Sequence, residues 1–183
     1  MKVYSKLIIS PKKNANIYIV DHDPAYSASL TKAIDKPAKY NIETFTTGEK
    51  FIAHLTSLNF RKNDIHLVFL GYHFFDDREH NLMNGIEILE AVKVVCPDTE
   101  VVMLYTEEET SYGAYARNSG AYTFVPKNDT IFLRINNIIM RVISQKKLEQ
   151  NKRAFLFSFK VFMFYLVLAS IAIAIYHFLT QSR

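Results

Sequence analysis

Short uninterrupted apolar runs alternate along the chain with stretches whose apolar residues recur at helical spacing. Residues 17–20 (IYIV), 67–70 (LVFL) and 101–104 (VVML) are unbroken runs of four. Residues 41–45 and 122–125 are weaker runs of the same kind. Between them lie helical patterns. One covers about residues 24–34. A second covers 47–58, with Thr47 placed to cap it and Phe51, Ile52 and Leu55 on one face. A third covers 85–95, with Ile86, Leu89, Val92 and Val94 at mostly helical spacing. The last begins near Thr130 and sets Ile131, Ile135, Ile138, Ile139 and Val142 on one stripe. Strands that are apolar throughout and alternate with helices predict a five-stranded parallel sheet covered on both faces, an α/β fold. In such sheets the working site lies beyond the carboxyl ends of the strands. Those ends offer Asp21-His22-Asp23, Gly71, Tyr105-Thr106 and Lys127. The second of these is unusual, because the tip of an otherwise apolar strand has no side chain.

The pattern changes at the C-terminal end. Residues 161–179 (VFMFYLVLASIAIAIYHFL) contain only Ser170 and His177 as polar side chains, Tyr hydroxyls aside. As a helix they span about 28 Å, close to the hydrocarbon thickness of a bilayer. The apolar run extends back to Ala154 if Lys160 snorkels toward the headgroups. The sequence therefore predicts a transmembrane helix. Neither Gly nor Pro occurs after Pro126, so nothing forces a break between the last soluble helix and this span. One nearly continuous helix is expected, with a flexible joint over residues 146–153 as the alternative.

Charge sharpens this picture. Up to Pro126 there are 13 Lys+Arg and 16 Asp+Glu, a net of −3; from Lys127 onward there are 9 and 2, a net of +7. The basic residues flank the apolar segment, which points to a membrane surface and away from nucleic acid. Lys146, Lys147, Lys152, Arg153 and Lys160 precede the span and only Arg183 follows it, so the N-terminal side is expected to be cytoplasmic. The single cysteine, Cys96, excludes a disulfide framework and reads as a core thiol. The expected organisation is an extension (1–14), a domain (15–145), a basic linker (146–160), the span (161–179) and a short tail (180–183).

The order of side chains at the strand ends, with the stretches IYIVDHDP, LVFLGYHF, MNGIEILEAVK and SGAYTFVPKND, resembles the receiver domain of bacterial response regulators. The resemblance covers about residues 15–145. It implies a flavodoxin-like fold with strand order 2-1-3-4-5 and a site for phosphoryl transfer from a histidine kinase. In that family an aspartate at the third strand accepts the phosphoryl group, two acidic residues after the first strand hold Mg²⁺, and a hydroxyl and a lysine bind phosphoryl oxygens. Carried over, the acceptor falls on Gly71, which has no nucleophile. The acidic positions fall on Asp21 and His22, with Asp23 one residue further on. The hydroxyl position falls on Tyr105; a shift of one residue restores Thr106 to that role but puts Glu107 where a small residue belongs. Lys127 is kept, and the aromatic that reports the state of the site falls on Phe124.

These departures imply a pseudoreceiver: a membrane-tethered, non-enzymatic module that acts by docking a protein partner. The partner is expected to be a histidine kinase, another receiver or a membrane complex. The contact surface is expected on the fourth helix, fifth strand and fifth helix, with Tyr112, Tyr115 and Tyr122 supplying area. The localisation implied is the bacterial inner membrane, single-pass. No cofactor is expected. Two alternatives stand beside this one. In the first, a substitute acceptor such as Asp76, Asp77 or Glu79 is phosphorylated, with Mg²⁺ held by Asp21 and Asp23. In the second, the chain is an inert membrane scaffold. A transition-metal site of His22, His73 and His80 matches no ligand spacing. With the acceptor gone, Asp21 and Lys127 are expected to meet across the gap as a direct ion pair.

Overall fold

The computed structural model describes residues 13–61, 63–72, 83–106 and 113–181. They divide into two compact units, one ending at Ile143 and the other beginning at Ser144. The first unit holds a five-stranded sheet. Its strands are β1 (Ala15–Val20), β2 (Tyr40–Phe45), β3 (His66–Gly71), β4 (Glu100–Tyr105) and β5 (Thr123–Pro126). The order is β2-β1-β3-β4-β5 with every pairing parallel. The helices are α1 (Pro24–Lys32), α2 (Gly48–Ser57), α3 (Gly85–Val95), α4 (Gly113–Asn118) and α5 (Thr130–Gln181).

Local chemistry fixes the helix starts. Asp23 caps α1 by accepting the Ala25 and Tyr26 amides, and Pro24 follows at the first turn, where its missing N–H costs nothing. Thr47 caps α2 through the Lys50 amide. Asn84 and Glu87 form a reciprocal capping box at α3. The strands lie between two apolar layers. Ile17, Ile19, Leu67, Phe69, Val102, Leu104 and Val125 face Leu30 of α1 and the Ile131–Ile135–Ile139 stripe of α5. Tyr18, Val20, Val68, Leu70, Val101 and Met103 face α2, α3 and Ala116 of α4. Every β3 residue is buried, as expected of a central strand covered on both faces.

The differences from the sequence reading are local. Most strands extend a residue or two beyond their apolar runs, β1 and β2 at their starts, where Ala15 pairs with Tyr40, and β3 and β4 at both ends. Residues 37–39 form a short 3₁₀ turn, and α4 has no apolar periodicity to announce it. Val94, expected on the buried face of α3, is 83% exposed, and Ile88 is buried instead. The helical period explains this, since Val94 lies two residues past Val92, about 200° around the helix. Cys96 is buried just beyond α3.

In the second unit, α5 runs on through residues 146–160 and 161–179 to Gln181. The chain has one helix, among the described residues, long and apolar enough to cross a membrane.

Candidate functional site

Three strand ends converge at the carboxyl edge of the sheet. Asp21 directly follows β1 and is fully buried, its amide held by the Phe45 carbonyl at 3.0 Å. Lys127 directly follows β5, its amide held by the Tyr105 carbonyl at 2.7 Å. Gly71 ends β3 between them. Alternation along the strands sends Asp21, Gly71 and Lys127 toward the side covered by α1 and α5. There the Lys127 ammonium lies 2.6 Å from Asp21 Oδ2, with the lysine side chain 11% exposed and the aspartate not at all. This is the direct pair expected from the sequence.

The carboxylate is occupied on both oxygens. Oδ1 accepts the Asp23 amide at 3.1 Å and has His22 Nδ1 at 3.5 Å. His22 is otherwise half in solvent. Asp23 turns to its cap role, its Oδ1 accepting the Ala25 and Tyr26 amides at 2.8 and 3.2 Å. A hard cation needs oxygens that converge with free lone pairs. Here Asp21 Oδ2 faces Lys127 Nζ, Oδ1 accepts one amide, and Asp23 turns one of its two oxygens to the cap of α1. Among the described residues no group of three or more His, Cys, Asp or Glu is placed to hold a metal.

Gly71 is needed by its neighbours. A Cβ there would lie 2.6 Å from Asp21 Oδ2, 3.2 Å from Asp21 Cγ and 3.3 Å from Lys127 Nζ. The ion pair therefore occupies the volume into which a side chain at position 71 would grow. Gly85 is the second close approach. Its Cβ would lie 2.5 Å from the Gly71 carbonyl oxygen, and its amide binds the Tyr72 carbonyl at 2.9 Å. The first turn of α3 is thus laid directly on the backbone leaving β3.

Tyr26 joins the site without a sequence signal. Its ring lies 5.3 Å from Lys127 Nζ, within cation–π range, and packs on Phe132 of α5 at 6.1 Å. Its hydroxyl is buried without a hydrogen-bond partner among the described residues. Burial first, and the negative charge of Asp21 second, push the phenol above its ordinary range. Tyr26 therefore lies as an apolar cover over the lysine.

Tyr105 and Phe124 take the other alternation. Their rings stack at 4.0 Å with only 3° between planes, on the side where Phe124 packs against the α2–α4 layer. They are diagonal neighbours, since Met103 pairs with Phe124 and Tyr105 with Pro126. Thr106, the next residue, is exposed. The structure thus brings together Asp21, His22, Gly71 and Lys127, and pairs Tyr105 with Phe124. His73, Phe74, Phe75, Asp76, Asp77, Glu79, His80, Glu107, Tyr112 and the side chain of Tyr115 lie outside the described residues.

No family model and no curated protein matches the chain. Solved structures do. NtrX from Brucella abortus, in complex with ADP, aligns at a TM-score of 0.62 and 20% identity over 75% of this chain. The chain spans only 29% of the length of NtrX. The BeF3-activated DrrB receiver domain aligns at 0.56 and 22% identity over 71% of this chain and 97% of that domain. A CheY-like response regulator receiver domain from Methanospirillum hungatei aligns at 0.60 and 20% identity over 74% of this chain and 98% of that one. The fold of the first unit is that of the receiver domains of response regulators.

Proposed function

We propose that this chain is a membrane-tethered, receiver-like signalling module that is not phosphorylated at position 71 and works by protein–protein docking. One observation carries the reading: the Asp21–Lys127 pair closes over Gly71 at 2.6 Å. In a receiver-type site the lysine waits for an incoming phosphoryl oxygen. Here the buried carboxylate already holds it, so the pocket keeps one state without a phosphoryl group or a metal. The module is read as non-enzymatic for the same reason, because no nucleophile stands at the centre of the site.

Docking is assigned to the surface of α4, β5 and the first turns of α5. Leu133 is 80% exposed there, with Arg117, Arg134, Asn137 and Arg141 also exposed and Tyr122 half-buried. A histidine kinase, another receiver or a membrane complex is the expected partner. The apolar run of α5 is read as the tether, and the cations preceding it support a position of the domain on the cytoplasmic side of a bacterial inner membrane.

Incubating the purified full chain with a small phosphodonor and Mg²⁺ tests this. The expected result is no acid-labile mass gain; a gain of one phosphoryl group overturns the unphosphorylated reading. Partner cross-linking in native membranes is expected to fall at least tenfold for Leu133→Glu with Arg134→Glu. Cross-linking that survives every substitution on this surface would favour an inert scaffold instead.

A further inference from the structure

Between residues 146 and 162, α5 carries cations along one stripe, with apolar residues beside them. A helix turns about 100° per residue, so seven residues return to within about 20° of the same direction. Lys146, Arg153 and Lys160 are spaced by seven and share one stripe. Leu148, Phe155 and Phe162 each come two residues later, about 200° around, on the opposite side. These three are 55%, 69% and 58% exposed. Lys147 and Lys152 add to the charge, and Glu149 is the one acid, so residues 146–160 carry a net of +4.

The membrane-tether reading puts this stretch at the bilayer surface, and the present inference rests on it. We propose that residues 146–160 form a contact for anionic phospholipid headgroups, specific for net negative charge. Lys160 supplies the deepest point. It interrupts an apolar run that begins at Ala154 and resumes at Val161, with Phe157 and Phe164 one turn below and above it. A charge at that depth needs a phosphate within reach of its snorkelling ammonium. Cations clustered directly beside an apolar span lie where anionic headgroups are within reach. The apolar span that follows directly on the cations favours a lipid surface over a nucleic acid. A zwitterionic surface satisfies the phenylalanines but not the excess of cations. Each cation near an anionic surface strengthens association about fivefold where salt does not screen it.

The test uses the full chain reconstituted in phosphatidylcholine bilayers with trace spin-labelled phosphatidylglycerol or trace spin-labelled phosphatidylcholine. The expected ratio of association constants is about fivefold or more in favour of phosphatidylglycerol at low salt. It is expected to fall toward one in molar salt and in the triple variant Lys146→Gln, Arg153→Gln, Lys160→Gln. A ratio near one for the unmodified chain, or an unchanged ratio in the triple variant, overturns the proposal. Alkaline carbonate extraction of the same bilayers separates the two readings. Protein released by carbonate sinks the tether and this proposal with it. Protein that resists carbonate yet shows no headgroup preference sinks the proposal alone.

Discussion

Gly71→Ala adds one methyl group at the point where the ion pair lies. Backbone strain does not enter, since Gly71 is not among the positive-φ residues. The new Cβ would stand 2.6 Å from Asp21 Oδ2, whereas carbon and oxygen need about 3.2 Å or more. The carboxylate must therefore retreat by roughly half an ångström or more. The same oxygen holds Lys127 Nζ at 2.6 Å, so the retreat stretches a buried, charge-assisted contact. Overpacking of this size costs about 1–3 kcal/mol. The ceiling is the roughly 3–5 kcal/mol lost when one partner of a buried pair is removed outright. We expect about 1–3 kcal/mol, because Lys127 keeps an 11% opening to solvent through which to relax. Urea unfolding of the full chain in detergent micelles reads this out. With 11 tyrosines and no tryptophan, tyrosine emission reports the transition. The decisive comparison is the same substitution in an Asp21→Ala background, where the oxygen is gone. There Gly71→Ala is expected to cost less than about 0.5 kcal/mol, a coupling of at least about 0.5 kcal/mol. Effects of alanine on the unfolded chain cancel between the two backgrounds. Equal costs in both would refute the reasoning.

Three further outcomes are expected. His66 is buried, with the Tyr18 hydroxyl 3.2 Å from its Nδ1 and no hydrogen-bond partner for Nε2 among the described residues. Burial pushes its imidazole below the usual 6.5, against the opposing charge of Asp64. Near and below pH 6.5 the unfolded chain therefore binds a proton that the folded chain resists. This contribution to stability is intact above 6.5 and is lost as pH falls toward the lowered folded value. Urea midpoints between about pH 7 and pH 5 should fall less steeply for His66→Phe, and an unchanged slope counts against the assignment. Asn136 of α5 grips the end of α1, donating to the Ala33 carbonyl at 2.9 Å and accepting the Asp35 amide at 2.8 Å. Asn136→Ala should cost about 1–2 kcal/mol and speed amide exchange at Asp35 selectively, and an unaffected Asp35 amide would show the grip to be idle. Tyr105→Ala should cost about 0.5–1.5 kcal/mol beyond the lost area and release the Phe124 ring, read by a ring fluorine on Phe124; a fluorine shift identical in both proteins would contradict the stack.

The strands were legible because a parallel sheet covered on both faces needs unbroken apolar runs, and few other structures produce them. The helix starts were legible where a capping residue stands beside a periodic pattern, as at Thr47. Helix α4 was not, since six residues, with Ala116 buried among the described side chains, leave no period to read. At the site, Asp21, Gly71 and Lys127 were legible as strand ends, and their meeting followed from an empty position between two opposite charges. Tyr26 was hidden. It lies on α1, and only the packing of α1 beside α5 brings its ring to Lys127. Tyr105 was half legible: its place at the end of β4 was clear, but its direction rests on an alternation that strand ends often break.

The geometry also changes how the glycine is understood. A missing carboxylate alone would leave a hole, and a hole beside a buried aspartate and a lysine fills with water or with one of the two. Here the aspartate fills it, and the lysine follows at 2.6 Å. The glycine then becomes a requirement of the pair, since any Cβ at 71 enters the space of Oδ2. Restoring an acceptor is therefore a coupled change. An aspartate at 71 must displace Asp21, take a share of Lys127 and leave one buried carboxylate undercompensated. Asp23 already has one oxygen committed to the cap of α1. Each part of the site constrains the others, so an aspartate at 71 is expected to be accommodated only together with a displacement of Asp21 and Lys127.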